Sequence, residues 1–98
     1  MKNYNYFVYI TTNPAKTVLY IGVTNDLATR LHQHREERGK EKTFAGRYFC
    51  FNLVYFERHS NVNYAIEREK EIKKWRREKK EALINSVNPE WKFLNDEL

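Results

Sequence analysis

Cysteine, proline and glycine are scarce in this 98-residue chain, which contains one, two and three of them. The lone Cys50 excludes an internal disulfide, and no His/Cys cluster at zinc-site spacing accompanies it. So few glycines and prolines, with 41% hydrophobic and 15% aromatic residues, exclude a disordered or low-complexity chain. The sequence therefore predicts one small globular domain over residues 1–98.

Long apolar runs and an acidic charge balance are also missing. No run approaches the roughly 18 apolar residues of a membrane span, and the start of the chain lacks the pattern of a signal peptide. We therefore expect a cytoplasmic protein that does not enter a membrane. The 18 Lys and Arg residues outnumber the 13 Asp and Glu, for a formal charge of +5. This excess favours a polyanionic partner such as nucleic acid, although charge alone leaves a domain without such a partner open.

Three segments have the aromatic and β-branched composition of strands. Residues 6–12 and 17–23 flank the sequence Asn-Pro-Ala-Lys and predict a β-hairpin, and residues 49–58 predict a third strand. Because a predicted helix precedes the third strand, that strand can return beside the hairpin. The second strand alternates between two faces. Leu19, Ile21 and Val23 are expected on the packed face, and Val18, Tyr20 and Gly22 on the accessible face.

Helical patterns fill the remaining segments. One helix is predicted from residue 25 or 26 to about 38, and residues 39–48 after it are predicted as a loop rimmed by cations. The longest helix is predicted over about 62–81. A short helical tail over 83–94 follows, with three expected core anchors, Trp91, Phe93 and Leu94. The expected fold is α+β, a small and mainly antiparallel three-stranded sheet flanked by helices.

One carboxylate falls on the inward side of the long helix. On a helical wheel at about 100° per residue, Glu69 shares its side with four apolar residues, Val62, Ala65, Ile66 and Ile72. Glu67 and Glu71 point to the opposite side. A buried carboxylate costs free energy unless it is paired, hydrogen-bonded or bound to a metal. Two readings stay open, an ion pair with Arg30 or Lys73 and a ligand for a hard divalent cation such as magnesium.

The predicted hairpin resembles the two strand motifs that give the GIY-YIG nuclease family its name. Tyr20-Ile21-Gly22 matches the second motif in full. Phe7-Val8-Tyr9 stands in place of Gly-Ile-Tyr, so this chain lacks the first glycine and keeps the tyrosine eleven residues before Tyr20. That departure concerns only the backbone of the first strand, because the chemistry of the motif belongs to its tyrosine.

The resemblance continues into both helices. Arg30 occupies the family's arginine position, ten residues after Tyr20, and His34 matches a histidine found in part of the family. Further on, Ala65 and Glu69 are similar to the family's helix with its metal-binding glutamate. This is the same carboxylate that the helical wheel singles out, so two independent arguments select it.

In extent, the resemblance covers about residues 6–94 and is closest to small single-domain members of the family. Some relatives in the bacterial excision-repair subunit UvrC have lysine directly after the YIG glycine, where this chain has Val23. The segment 83–91 is also similar to the small branch. A family asparagine corresponds to Asn85 or Asn88, and the sequence leaves both open.

Membership implies metal-dependent hydrolysis of phosphodiester bonds in DNA, in repair or recombination, with Mg²⁺ or Mn²⁺ as the cofactor. In that chemistry Glu69 holds the ion, Arg30 neutralises charge on the phosphate, and Tyr20 orients or deprotonates the attacking water. Tyr9 hydrogen-bonds in the same pocket, and His34 relays or accepts the proton. The expected substrate contacts are Gly22, Arg47 and Lys73.

Two other classes of function stay open on the sequence. A nucleic-acid-binding module without turnover is one, because no sequence-reading appendage is visible in 98 residues. A subunit that is active only with a protein partner is the other, favoured by the charged helix. The site residues also have ordinary structural readings, since Arg30 can pair with Glu69 and the tyrosines can be surface residues of a sheet. Oligomeric state is left open.

Overall fold

A three-stranded antiparallel sheet forms the centre of the fold, with strand order β2-β1-β3. The computed structural model describes residues 4–98, so residues 1–3 of the predicted domain lie outside it. The strands are β1 (Tyr6–Thr12), β2 (Leu19–Thr24) and β3 (Asn52–His59). The helices are α1 (Leu27–Glu36), α2 (Phe44–Arg47), α3 (Val62–Lys74) and α4 (Arg77–Val87). The predicted α+β class and the antiparallel sheet are confirmed.

One asparagine side chain holds the hairpin turn. Asn13 Oδ1 accepts hydrogen bonds from the backbone N–H groups of Thr17 at 2.8 Å and Val18 at 2.9 Å. Because these bonds engage two residues that the sequence assigns to the second strand, β2 begins only at Leu19. The hairpin itself is confirmed, in a register that places Tyr9 opposite Gly22.

The helix after the hairpin begins where the sequence predicts. The Asp26 carboxylate caps α1, accepting hydrogen bonds from the Thr29 backbone N–H at 3.1 Å and the Thr29 hydroxyl at 2.8 Å. The helix ends at Glu36, two residues before the predicted end. This cap fixes the corner between β2 and α1.

The segment predicted as an irregular loop contains a helical turn. α2 begins after Thr43, whose side chain accepts a hydrogen bond from the backbone N–H of Gly46 at 3.0 Å. A four-residue turn has no apolar period to reveal it in the sequence. Tertiary contacts hold it instead, since the carbonyl of Gly46 accepts from the Gly39 N–H at 2.7 Å and the carbonyl of Ala45 from the Cys50 N–H at 2.8 Å.

The prediction of one long helix over 62–81 is wrong, because the chain breaks it after Lys74. Trp75 and Arg76 have extended backbones, with ψ of 151° and 156°, and α4 then starts in a new direction. The Trp75 ring packs against the core and lies 5.1 Å from the Arg68 guanidinium and 4.3 Å from the Lys79 ammonium. These contacts compensate for the hydrogen bonds that a continuous helix would make.

The two faces of the sheet carry different helices. The larger core lies between one face and α3 and α4, and includes Val8, Ile10, Ile21, Ala65, Ile72 and Ile84. The smaller core lies between the other face and α1, and consists of Tyr9, Leu27, Leu31 and Leu53. Alternation along β1 and β2 therefore sends neighbouring residues to opposite faces.

Two predicted core positions are wrong, and two tail anchors are placed near the core. Val62 is 39% exposed and Phe93 is 43% exposed, so neither is a core residue. Trp91 packs on the larger core and Leu94 on the smaller one. Within residues 4–98, every helix is too short or too polar to cross a membrane.

Gly22 is the point where the two hairpin strands approach most closely through a side chain. A Cβ atom added to Gly22 would lie 2.5 Å from Cζ of the Tyr9 ring, nearer than real Cβ contacts allow. The ring itself is fully buried. Gly22 is therefore needed because the phenol of Tyr9 occupies the space that any larger residue would fill.

We predict that Gly22→Ala lowers the free energy of unfolding by about 1–3 kcal/mol, the usual cost of overpacking a core. The new methyl group would have to displace the buried Tyr9 ring. Urea unfolding followed by circular dichroism measures the change. In a Tyr9→Leu background the same substitution should cost less, because the shorter side chain leaves room. An equal cost in both backgrounds would contradict this packing.

Candidate active site

Tyr9 and His34 form a buried pair between β1 and α1. The Tyr9 hydroxyl lies 2.8 Å from His34 Nε2, and the two residues are 0% and 3% exposed. His34 follows Leu27 by seven positions and Leu31 by three, so the period of α1 brings it to the packed side of the helix. A strand tyrosine and a helix histidine thus meet 25 residues apart in the sequence.

Tyr20 stands beside this pair on β2. Its ring centroid is 6.1 Å from that of Tyr9 and 5.2 Å from that of His34. Because Tyr20 alternates with the buried Ile21, its ring lies on the α1 face of the sheet. Tyr20 is only half-buried, so solvent reaches Tyr20 but not the buried Tyr9.

Arg30 brings the positive charge of the cluster. Its guanidinium interacts with the phenols of Tyr9 and Tyr20, and the hydrogen bond with Tyr9 is the main cause that raises the pKa of Arg30. The Nη1 group also donates to Gln33 Oε1 at 3.2 Å. Arg30 precedes His34 by one helical turn, so both reach the same tyrosine from one side of α1.

Burial decides the protonation states of the buried pair. Mainly burial, and then the charge of Arg30, lowers the pKa of His34 to about 4 against a weaker opposing effect of Glu37. Burial likewise raises the pKa of Tyr9 well above its ordinary value, although Arg30 acts in the other direction. At neutral pH His34 is therefore uncharged and Tyr9 keeps its proton.

Glu69 lies on α3, which packs on the other face of the sheet. Its Oε1 atom is 3.0 Å from Nζ of Lys73, and the Glu69 side chain is 15% exposed against 51% for Lys73. Of the two partners that the sequence offers for Glu69, the ion pair within the described chain is with Lys73 rather than with Arg30. The carboxylate is thus largely buried and is compensated by a cation one turn away.

A cavity at the outer edge of β2 joins the two faces of the sheet. It has a volume of about 290 Å³ and is lined by Leu19, Tyr20, Ile21, Phe44, Lys73 and Lys80. Lys73 of this lining is paired with Glu69, whereas the Glu69 carboxylate itself is outside the lining and Arg30 lines a separate pocket beside Asp26 and Thr29. An anionic ligand that enters there meets a phenol and two ammonium groups.

Phe44 and Lys80 are the two cavity residues that sequence reasoning missed. Phe44 belongs to the unpredicted turn α2, and its ring stacks on Tyr20 at 6.1 Å between centroids. Lys80 follows Lys73 by seven positions, a spacing that puts both on one side of a helix. A continuous helix would separate them by about 10 Å, so the shared cavity depends on the break between α3 and α4.

Other predicted site residues lie away from the cavity lining. Gly22 is buried under the Tyr9 ring, and Arg47 is exposed on α2, with its guanidinium 5.7 Å from the Tyr48 ring centroid. Asn88 is buried, and its side chain binds the backbone of Val54 and Lys92.

The other candidate for the family asparagine has a comparable structural role. Asn85 accepts a hydrogen bond from the indole N–H of Trp91 at 2.6 Å. Both asparagines thus hold the C-terminal segment against the sheet and the end of α4. The hydrogen bonds of the described chain give neither of them a role beside Tyr20 or Arg30.

The donor set around Glu69 limits the kind of metal site it can form. Across residues 4–98, no group of three or more His, Cys, Asp or Glu side chains converges as a metal site. Magnesium is nevertheless often held by one or two carboxylates, with waters and substrate phosphates as the other ligands. A single, largely buried carboxylate beside a cavity fits that mode of binding.

Comparison with known proteins identifies the family that the strand motifs resemble. The family model described as the GIY-YIG catalytic domain matches residues 5–82. A UPF0213 protein of Bacillus pumilus is 33% identical over 90 residues, which cover 92% of this chain and 89% of the relative. A UPF0213 protein of Haloquadratum walsbyi is 39% identical over 83 residues, covering 85% and 89%. One of Staphylococcus aureus is 35% identical over 80 residues, covering 82% and 94%.

A solved structure supports the assignment at the level of the fold. The solution NMR structure of the UPF0213 protein BH0048 from Bacillus halodurans aligns with a TM-score of 0.57 and 28% identity, over 89% of each chain. The matched residues 5–82 include all five polar residues discussed above, Tyr9, Tyr20, Arg30, His34 and Glu69. The chain therefore belongs to the GIY-YIG nuclease family.

Proposed function

We propose that this protein is a divalent-metal-dependent endonuclease that hydrolyses phosphodiester bonds in DNA. Membership of the family indicates nuclease chemistry and a nucleic-acid partner. One observation supports the proposal above all: Tyr20 belongs to the buried tyrosine cluster and also lines a cavity with two lysines. A phosphate that enters this cavity would meet opposite charge and a phenol together. We propose that this activity serves the repair or recombination of DNA.

Arg30 is the phosphate-binding group of this proposal. A planar guanidinium donates two parallel hydrogen bonds to phosphate oxygens, which the point charge of a lysine does not do. The tyrosine hydroxyls hold Arg30 in place, since its main interaction is with Tyr9. Lys73 and Lys80 line the cavity and add charge that attracts the DNA backbone.

Tyr20 is the residue that orients or deprotonates the attacking water. Tyr9 is unsuited to that role, because it is fully buried and its pKa is raised. The half-exposed Tyr20 lines the cavity, where water and phosphate have access. Arg30 lies beside its phenol.

His34 serves as a neutral acceptor that positions Tyr9. With its pKa lowered to about 4, His34 is uncharged at pH 7, and in the tautomer with its proton on Nδ1 the Nε2 atom accepts a hydrogen bond from the Tyr9 hydroxyl. The Tyr9 oxygen then keeps its lone pairs for Arg30. When a phosphate neutralises Arg30, the repulsion on His34 falls, and the imidazole becomes a better proton acceptor.

Glu69 would hold the divalent ion, Mg²⁺ or Mn²⁺, beside Lys73 of the cavity lining. When bound, such an ion supplies a Lewis acid for the phosphate and the leaving oxygen. The ion pair with Lys73 orients the Glu69 carboxylate until then.

A nucleic-acid-binding module without turnover is the second candidate function. The observation that favours it is the ion pair between Lys73 and Glu69, because an ammonium group occupies one oxygen that a metal would need. In that case the cation-lined cavity binds the phosphate backbone and no bond is cleaved.

We predict that Tyr20→Phe and Glu69→Gln each lower the rate of magnesium-dependent plasmid nicking by about 100-fold or more. The first removes the phenol that handles water, and the second removes the charge that holds the ion. Gel analysis of supercoiled DNA with Mg²⁺ or Mn²⁺, and with chelator, measures the rate.

Matched control residues for this experiment lie on α3, the helix that carries Glu69. Tyr64 is 71% exposed, and Glu67 is exposed on the side of α3 away from the core. Tyr64→Phe and Glu67→Gln should nick at the wild-type rate. Full activity in Tyr20→Phe or Glu69→Gln would overturn the assigned roles, and salt-dependent DNA binding without any nicking would favour the binding module.

The lowered pKa of His34 also makes a prediction about stability. The unfolded chain takes up a proton near pH 6.5, whereas folded His34 stays neutral down to about 4. Lowering the pH across this window therefore favours unfolding, by up to about 1.4 kcal/mol per pH unit from this group.

Urea unfolding at several pH values measures this dependence. His34→Gln keeps a hydrogen-bond acceptor for Tyr9 and should flatten the slope between pH 4 and 6.5. His32→Gln is the control, because the His32 side chain is 73% exposed and its removal should leave the slope unchanged. Identical slopes in wild type and His34→Gln would show that His34 is not held neutral by the fold.

A further inference from the structure

Exposed aromatic rings continue from the active site onto the surface. Phe44 and Tyr48 are 50% and 41% exposed, although aromatic side chains of this size are usually buried. Phe44 stacks on Tyr20 with an angle of 27° between the ring planes, and the centroids of Phe44 and Tyr48 are 4.7 Å apart. Tyr20, Phe44 and Tyr48 thus form a row that begins at the cavity and ends in solvent. We call Phe44 and Tyr48 the aromatic platform.

The turn that carries the platform is held rigidly by its backbone. Ala45 and Gly46 are buried, and a Cβ added to Gly46 would lie 2.8 Å from the carbonyl oxygen of Lys40. The turn therefore packs directly on the segment that follows α1. Such close backbone contact holds the turn in place, while the rings of Phe44 and Tyr48 stay exposed.

Positive charge surrounds the platform on the side of the cavity and beyond it. The Arg47 guanidinium lies 5.7 Å from the Tyr48 ring centroid, and Lys73 and Lys80 share the cavity with Phe44. Rigid aromatic rings next to cations are the arrangement by which proteins bind the bases and phosphates of an unpaired nucleic-acid strand. An uncharged apolar partner could contact the rings but would form no ion pairs with these cations.

We propose that the aromatic platform stacks on the nucleobase next to the phosphate that is cleaved. The inference rests on the proposed function, because it places the scissile phosphate in the cavity beside Tyr20. A base attached to that phosphate reaches Phe44, whose ring lines the same cavity. Only a base that is unpaired or turned out of its helix presents a free face to the ring, so the platform selects such nucleotides.

Cleavage kinetics on single-stranded oligonucleotides test the platform. In a set of substrates, each nucleotide around the cleaved bond is replaced in turn by an abasic tetrahydrofuran residue. We expect one abasic position to lower kcat/KM by about tenfold, the effect of losing one base–aromatic stack. Phe44→Leu should cause a similar loss on the normal substrate and no further loss on that abasic substrate, whereas Phe44→Trp should retain the wild-type rate.

The control variant is Tyr64→Leu, which removes an aromatic ring that is 71% exposed on α3. Its kcat/KM should equal that of the wild type on every substrate. Equal loss from Phe44→Leu on normal and abasic substrates would overturn the proposal, because the ring would then act only by supporting Tyr20. Unchanged kinetics in Phe44→Leu would also overturn it.

A binding measurement separates this inference from the proposed function. Oligonucleotides with 2-aminopurine at single positions are mixed with the protein in chelator, so that no metal-dependent cleavage occurs. Stacking on Phe44 should quench the fluorescence at one position, and Phe44→Leu should abolish that quenching. Quenching without nicking in Mg²⁺ would support the platform and overturn the nuclease assignment. Nicking without Phe44-dependent quenching would do the reverse.

Discussion

The close packing of the Tyr9 ring on Gly22 is the contact on which the rest of the structure depends. It fixes the register of β1 and β2 and carries the phenol through to His34 on α1, at 2.8 Å. A larger residue than glycine would push the ring out and with it the helix that Arg30 belongs to. One hairpin contact therefore sets both the core of the α1 face and the geometry of the polar cluster.

The candidate site is divided between the two faces of the sheet. Alternation along β2 sends Tyr20 to the α1 face, while Glu69 stands on the helix that covers the opposite face. They approach each other only around the outer edge of β2, where Lys73 lines the cavity with Tyr20. This arrangement keeps the carboxylate and the arginine from pairing with each other. Glu69 is paired with Lys73 instead, and Arg30 donates a hydrogen bond to Gln33.

Burial gives the two tyrosines different chemistry although they have neighbouring rings. Tyr9 has no exposure, a raised pKa and a neutral histidine as its partner. Tyr20 reaches the cavity and lies against Phe44. The same residue type is thus a buried packing residue at one position and, in the proposed mechanism, the reactive group at the other, because one side chain meets solvent and one does not.

The sequence by itself determined the hairpin, α1 and the grouping of Tyr9, Tyr20 and Arg30 near one another, since strand alternation and helical periodicity act over a few residues. It also singled out Glu69, whose partner it left open. The tertiary structure alone decided the turn at Phe44–Arg47 and the break after Lys74. The turn is held by backbone hydrogen bonds between Gly39 and Gly46 and between Cys50 and Ala45, and the break by the packing of Trp75 on the core. Neither feature follows the apolar period of a helix or a strand, so the hydrophobic pattern of the sequence does not reveal it.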